Sequence, residues 1–286
     1  MTAPRNVDRV IESHVAPVGT FTVRRALPDR ARHSVGPWVF LDHFGPFPVK
    51  GGKEGVGAHP HAGIETVTYL LSGRNEHRDS AGHQGIVAAG GAQWMTAGRG
   101  IVHSERPLVQ GEGELMQHGL QLWTTLPRAL KMMPPRYQRI DADSIPVVEG
   151  VGTKARVIAG ELGAARGPAE VLMPLFLWHV SVLPGAAFEA PVGGAFEAAA
   201  YVIAGEGAFD GRVAGVGELV VYETAEGAVS FTNSGRETLE VLVLGGAPAE
   251  GPLVFHGPFV MNSVEQVRAA EIAYQTGRMG SLAEAH

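Results

Sequence analysis

The 286-residue chain contains no cysteine. Disulfides, thiol nucleophiles and Cys-rich structural zinc sites are therefore excluded, and any bound metal must be held by imidazole and carboxylate. Charge is sparse as well: Asp, Glu, Lys and Arg make up 18% of the chain, with a net charge of −6. A chain without a basic surplus is not expected to track phosphates, so no direct nucleic-acid partner is expected. Arg5, Arg9, Arg24, Arg25, Arg30 and Arg32 bias the first 32 residues toward positive charge, which reads as a solvated surface. Long apolar runs are missing too. The longest, residues 171–183, contains Pro174, His179 and Ser181, and it is too short to span a membrane. The opening MTAPRNVDRVIESHV has no apolar stretch of the kind a secretory signal needs. The expectation is a cytoplasmic protein without a membrane partner.

What is abundant points to strands. Apolar residues make up 45% of the chain, enough for a real core, and 39 Gly with 19 Pro favour many short strands over long helices. Strand-like runs are TFTVRRA (20–26), IETVTYLL (64–71) and LQLWTT (120–125) in the first half. In the second half they are LFLWHVSV (175–182), AYVIA (200–204), ELVVY (218–222) and LEVLVL (239–244). This density of strands and turns predicts an all-β sandwich or barrel. Met132-Met133-Pro134-Pro135 interrupts the pattern and reads as a hinge between halves. TYLLSG at 68–73 resembles AYVIAG at 200–205, a faint repeat that a duplicated β-domain would explain. One helix is predicted, opened by the capping box Ser263-Val264-Glu265-Gln266 and stopped near Gly277.

Two short stretches carry the chemistry. His59-Pro60-His61 and His103-Ser104-Glu105 each place potential metal ligands two residues apart. Alternate strand residues share a face, so each pair points one way. If both faces turn inward, His59, His61, His103 and Glu105 converge on one point. Three nitrogens and one carboxylate suit Fe(II), with Mn, Co, Ni, Cu or Zn as alternatives, and leave coordination positions open. By the same parity Glu65 shares the face of residues 59, 61 and 63, as a fifth ligand or an acceptor orienting an imidazole. Gly98 and Gly100 let the backbone turn close to the site.

The remaining histidines are weaker candidates. His77 and His83 lie in NEHRDSAGHQG, read as an exposed charged loop. His118 precedes LQLW and is a candidate to line the cavity. His14, His33, His43, His179, His256 and His286 carry no ligand spacing. In the second half, aligning Tyr201 with Tyr69 puts Pro191-Val192-Gly193 where His59-Pro60-His61 stands. That half is expected to share the fold without the metal.

HPHAGIETVTYLLSG, QWMTAGRGIVHSE and HGLQLWTTLP together resemble the pirin family of bicupins. FLDHFGP (40–46) and GPFVMN (257–262) agree with it. The likeness covers most of the first half and the C-terminal segment; between about 140 and 250 it rests on element order alone. The resemblance implies an all-β fold of two tandem cupin barrels (double-stranded β-helix, or jelly roll) with a short C-terminal helix. It implies residues 1–135 as a metal-binding cupin, 136–250 as a cupin without metal, and 251–286 as a C-terminal segment. It places the ligands on His59, His61, His103 and Glu105, with iron as the usual metal. It also implies a quercetin 2,3-dioxygenase-like activity, opening a flavonol-type ring with dioxygen. Glu105, a ligand with a spare oxygen, is then the natural base for the substrate hydroxyl. Trp94 or Met95 are candidate walls for a planar aromatic substrate. The competing expectation is an iron-binding, redox-sensing regulator that acts through a protein partner without turnover. His256 departs from the family, where Tyr is often found, and would affect the cavity rim if its segment returns to the first barrel.

Overall fold

The computed structural model describes residues 3–50, 54–109 and 114–282. Antiparallel strands dominate, and among the described residues the single α-helix is Val264–Gln275. Strands form where alternation or β-branched runs predict them. LFLWHVSV and ELVVY become Leu175–Val182 and Glu218–Tyr222, and IETVTYLL becomes Ile64–Ser72. The helix is capped as its sequence requires. The Ser263 side chain accepts from the Gln266 N–H, while Gln266 Oε1 reaches back to the N–H of Asn262 rather than Ser263. At the other end Gly277 takes φ +72°, and the Arg278 N–H donates to the Ala273 carbonyl, a Schellman closure.

The chain divides into two compact units that interleave in sequence. The first barrel comprises Val15–Val23, Asp42–Ala142 and Glu250–His286; the second comprises Met1–His14, Arg24–Leu41 and Asp143–Ala249. The contiguous boundaries at 135 and 250, with the N-terminus assigned to the first half, do not follow this division. Arg136–Ile140 pairs with Ala92–Thr96, so the chain re-enters the first barrel after the Pro pair. A proline removes one ladder donor locally and does not end a domain. Val7–Glu12 pairs with Glu218–Tyr222 and belongs to the second barrel.

Both barrels follow one plan of a seven-stranded and a four-stranded sheet. In the first, the small sheet runs Val56–His61, Ile101–Pro107, Arg74–Asp79, Gln84–Ala88. In the second, it runs Ala187–Val192, Gly227–Asn233, Glu206–Phe209, Arg212–Gly215. The second interior is a continuous apolar core that includes Phe176, Trp178, Phe188, Phe209 and Phe231. Arg5 does not belong to the solvated basic surface expected of the first 32 residues. It is buried, and its guanidinium donates to the carbonyls of Val192, Gly193 and Phe196 at 2.8–2.9 Å. Three carbonyl acceptors are what make that burial tolerable.

Candidate metal centre

His59 and His103 are direct cross-strand partners, and His61 sits opposite Ile101 on the same pair of strands. Period-2 alternation aims all three imidazoles into the first barrel. One nitrogen from each of His59, His61 and His103 lies within 4.8 Å of the others, close enough for the three to be gathered around one ion. The rings contact one another, with centroids 4.3–5.0 Å apart. Nδ1 of His59 lies 2.8 Å from the Gly57 carbonyl, and Nδ1 of His61 lies 3.2 Å from the Pro258 carbonyl. A carbonyl only accepts, so both Nδ1 atoms carry the proton and both Nε2 atoms present a lone pair. Nε2 of His103 is buried without a hydrogen-bond partner. An orphaned buried nitrogen beside two free lone pairs fits a divalent transition metal. Burial first, and then the neighbouring His59, holds the His61 and His103 imidazoles well below the usual range, so they are neutral and ready to ligate.

Glu105 shares the inward face of His103 but lies outside the 4.8 Å group. Its Oε1 accepts from the Thr68 hydroxyl at 2.6 Å and from the Gln93 amide. Thr68 and Gln93 stand on the seven-stranded sheet, so the carboxylate bridges the barrel interior. Gln93 and Met95 share a face, which makes Met95 a lining residue and turns Trp94 to the other side of its strand. Trp123 meets His61 edge-on, with centroids 4.9 Å apart.

Two expectations need correction. Glu65 does not join the histidines. The strand ends at His61, the chain turns at Gly63 (φ +76°), and Ile64–Ser72 belongs to the other sheet, so parity does not carry across. Glu65 instead accepts from Thr96 at 2.7 Å and Thr124 at 3.2 Å, on the face opposite Thr68, and burial raises its pKa. Gly63 is required there, because a Cβ would collide with the Val260 carbonyl. His77 is not exposed. NEHRD forms most of the strand Arg74–Asp79, with Asn75, His77 and Asp79 buried in alternation. His77 Nδ1 lies 3.4 Å from His103 Nδ1 and its Nε2 lies 3.1 Å from Asp79 Oδ2. The signal was present in the sequence: three polar side chains at period 2 mark an inward polar face as plainly as apolar ones do. His118 stacks on His43, their Nε2 atoms 2.7 Å apart. His179 pairs with Glu240 at 3.0 Å, while His286 lies outside the described residues.

The C-terminal segment returns to the first barrel. Ala62 and Val102, beside ligand positions, pack against Phe259, Met261 and the helix residues Val267 and Ala270. Lys131, fully buried, ties the parts together by donating to the carbonyls of Gly63 (2.7 Å) and Val260 (2.6 Å) and to the Thr125 hydroxyl (2.7 Å). The contact to His61 comes from Pro258, while His256 is exposed and pairs with Glu271 at 2.8 Å.

Two tandem jelly-roll barrels, one carrying an inward histidine cluster, define a bicupin. Residues 20–124 match the Pirin family model, and residues 177–280 match the Pirin C-terminal cupin domain. The chain belongs to the pirin family. A pirin-like protein of Solanum lycopersicum is 36% identical over 90% of this chain and 87% of that one. One from Caulobacter vibrioides is 36% identical over 96% of this chain and 94% of that one. A crystal structure of a quercetin 2,3-dioxygenase from Acinetobacter baumannii superposes with TM-score 0.91 at 31% identity, covering 98% of this chain and all of the other. Among the described residues no helix is long and apolar enough to cross a membrane.

Proposed function

We propose that the protein is a metal-dependent dioxygenase, quercetin 2,3-dioxygenase-like, opening a flavonol-type ring with dioxygen. The observation that carries this reading is the convergence of His59, His61 and His103 with a buried, unpartnered Nε2 on His103. The likeness to the Acinetobacter baumannii quercetin 2,3-dioxygenase supports the choice of substrate class. Fe(II), our choice of ion, supplies Lewis acidity and redox reactivity toward dioxygen. His59, His61 and His103 would hold it, with Glu105 as the fourth ligand, and the Glu105 carboxylate would serve as the base for the substrate hydroxyl. Thr68 and Gln93 hold the Glu105 carboxylate across the interior and set its aim. Trp123 offers a flat face and Met95 an apolar contact to an aromatic ring. A cytoplasmic location belongs to the same reading and suits a chain without cysteine.

The test is elemental analysis of the purified protein, then flavonol consumption and carbon monoxide release under dioxygen. Turnover with iron is expected; no turnover with Fe, Mn, Co, Ni, Cu or Zn removes the enzyme reading. Glu105→Gln is expected to lower turnover roughly 10²-fold or more while metal content falls far less. Equal losses would leave Glu105 a ligand only.

A further inference from the structure

The geometry points to His77 as a positioning residue that fixes the tautomer and ring orientation of His103; this rests on the metal reading above. His59 and His61 are oriented by backbone carbonyls, those of Gly57 and Pro258. The Nδ1 of His103 meets a side chain instead, Nδ1 of His77 at 3.4 Å. Two imidazole nitrogens facing each other leave the direction of the hydrogen bond open, and the surroundings must decide it.

Asp79 decides it. Its buried carboxylate accepts from the backbone N–H groups of Ala81 and His83 at 3.0 Å, from His83 Nδ1 at 2.9 Å and from His77 Nε2 at 3.1 Å. Burial alone would push this carboxyl up, but the hydrogen bonds from His77 and His83 hold it below the usual range. A carboxylate only accepts, so His77 aims an N–H from Nε2 at Asp79 and turns its Nδ1 to His103 as the acceptor. Its Nδ1 then presents a lone pair, and His103 must be the donor. That places the His103 lone pair on Nε2, the nitrogen left without a partner in the barrel interior. Tautomer choice thus passes inward from Asp79 through His77 to the metal centre.

The His77 ring is itself held. Tyr137 stacks on it at 4.5 Å and 16°, and the Tyr137 hydroxyl packs over Gly85, where any side chain would collide. Tyr137 lies on Arg136–Ile140, so this strand, beyond the Pro pair, serves the metal centre indirectly. An imidazole that donates its far N–H to a carboxylate-linked acceptor is a better-aimed and more basic ligand.

Co(II) is the probe, because its absorption reports ligand number and geometry. The wild-type protein is expected to take up a single equivalent. His77→Phe keeps an aromatic ring against Tyr137 and removes the acceptor; Co(II) affinity should fall roughly 10–100-fold with an altered spectrum. His77→Asn restores an acceptor near the Nδ1 position and should recover most of the affinity and the wild-type spectrum. Unchanged binding and spectrum in His77→Phe would overturn the inference, as would an Asn variant no better than the Phe variant. Should neither variant fold, nitrogen-15 NMR of the Zn(II)-loaded wild type decides: His77 must be the Nε2–H tautomer, and the Nδ1–H form overturns the assignment. A wild-type protein that binds no Co(II) sinks the metal reading itself. One that binds it, with His77 variants indistinguishable, sinks only the positioning role.

Discussion

The two barrels share one sheet plan and differ in what fills them. The second encloses Phe176, Trp178, Phe188, Phe209 and Phe231 in one apolar cluster. The first encloses His59, His61, His77, Asp79, His103, Glu105, Thr68 and Gln93 around the candidate centre. Where the first barrel has His59-Pro60-His61, the repeat alignment gives the second Pro191-Val192-Gly193, and Arg5 takes up the Val192 and Gly193 carbonyls. Burying polar groups costs free energy that hydrogen bonds and a bound ion must offset, whereas apolar filling stabilises outright. A duplicated scaffold lets one copy hold a reactive interior while the other is optimised for packing.

The largest test of that division removes a ligand. His103→Ala should reduce metal content from near one equivalent per chain to near zero, read by elemental analysis, because the second barrel offers no cluster among its described residues. Metal persisting in this variant would mean that a different set of groups holds it, and the comparison fails. Next in size is the opposite change in the other barrel. Phe209 is fully buried, and Phe209→Ala should cost about 3–5 kcal/mol in denaturant unfolding while the folded protein keeps its metal. A smaller loss is expected from Arg5→Ala, roughly 2–3 kcal/mol, because carbonyls that the guanidinium satisfied are left buried. If Arg5→Ala also emptied the metal centre, the two interiors would not be independent.

Much of this was legible in the sequence, for identifiable reasons. LFLWHVSV, ELVVY and IETVTYLL announced strands because buried β-branched runs have few alternatives. The His59, His61 and His103 convergence followed from parity within single uninterrupted strands. Parity failed where a strand ended unseen: Gly63 turns the chain, and Glu65 lands on the other sheet. His77 was missed because charge and Gly in NEHRDSAGHQG read as a loop, although a polar barrel interior makes alternating polar residues a strand signal too. The return of residues 250–286 to the first barrel had no local signal, since it depends on long-range contacts such as Lys131 to Val260. Tyr137 was assigned across the boundary for the same reason.

The last expected effect, the smallest per pH unit, concerns that return. Lys131 joins the first barrel's turn at Gly63 to the C-terminal strand at Val260, as Arg5 ties the N-terminal segment to carbonyls of the second barrel. Burial pulls its ammonium down to about 7, while three acceptors favour the charged form. A folded-state value below the unfolded one means that the unfolded chain binds more protons between pH 7 and the ordinary lysine range of about 10.4. Stability should therefore rise with pH across that window, by at most about 1.4 kcal/mol per pH unit for one proton. Lys131→Met should abolish that rise, measured as the difference between wild-type and variant unfolding free energies from pH 7 to 9. The offset between the two curves reports the lost hydrogen bonds, but only their divergence reports the proton. Parallel curves would mean that Lys131 stays charged throughout, its three acceptors outweighing its burial, and that the strap onto the first barrel is a permanent ionic one.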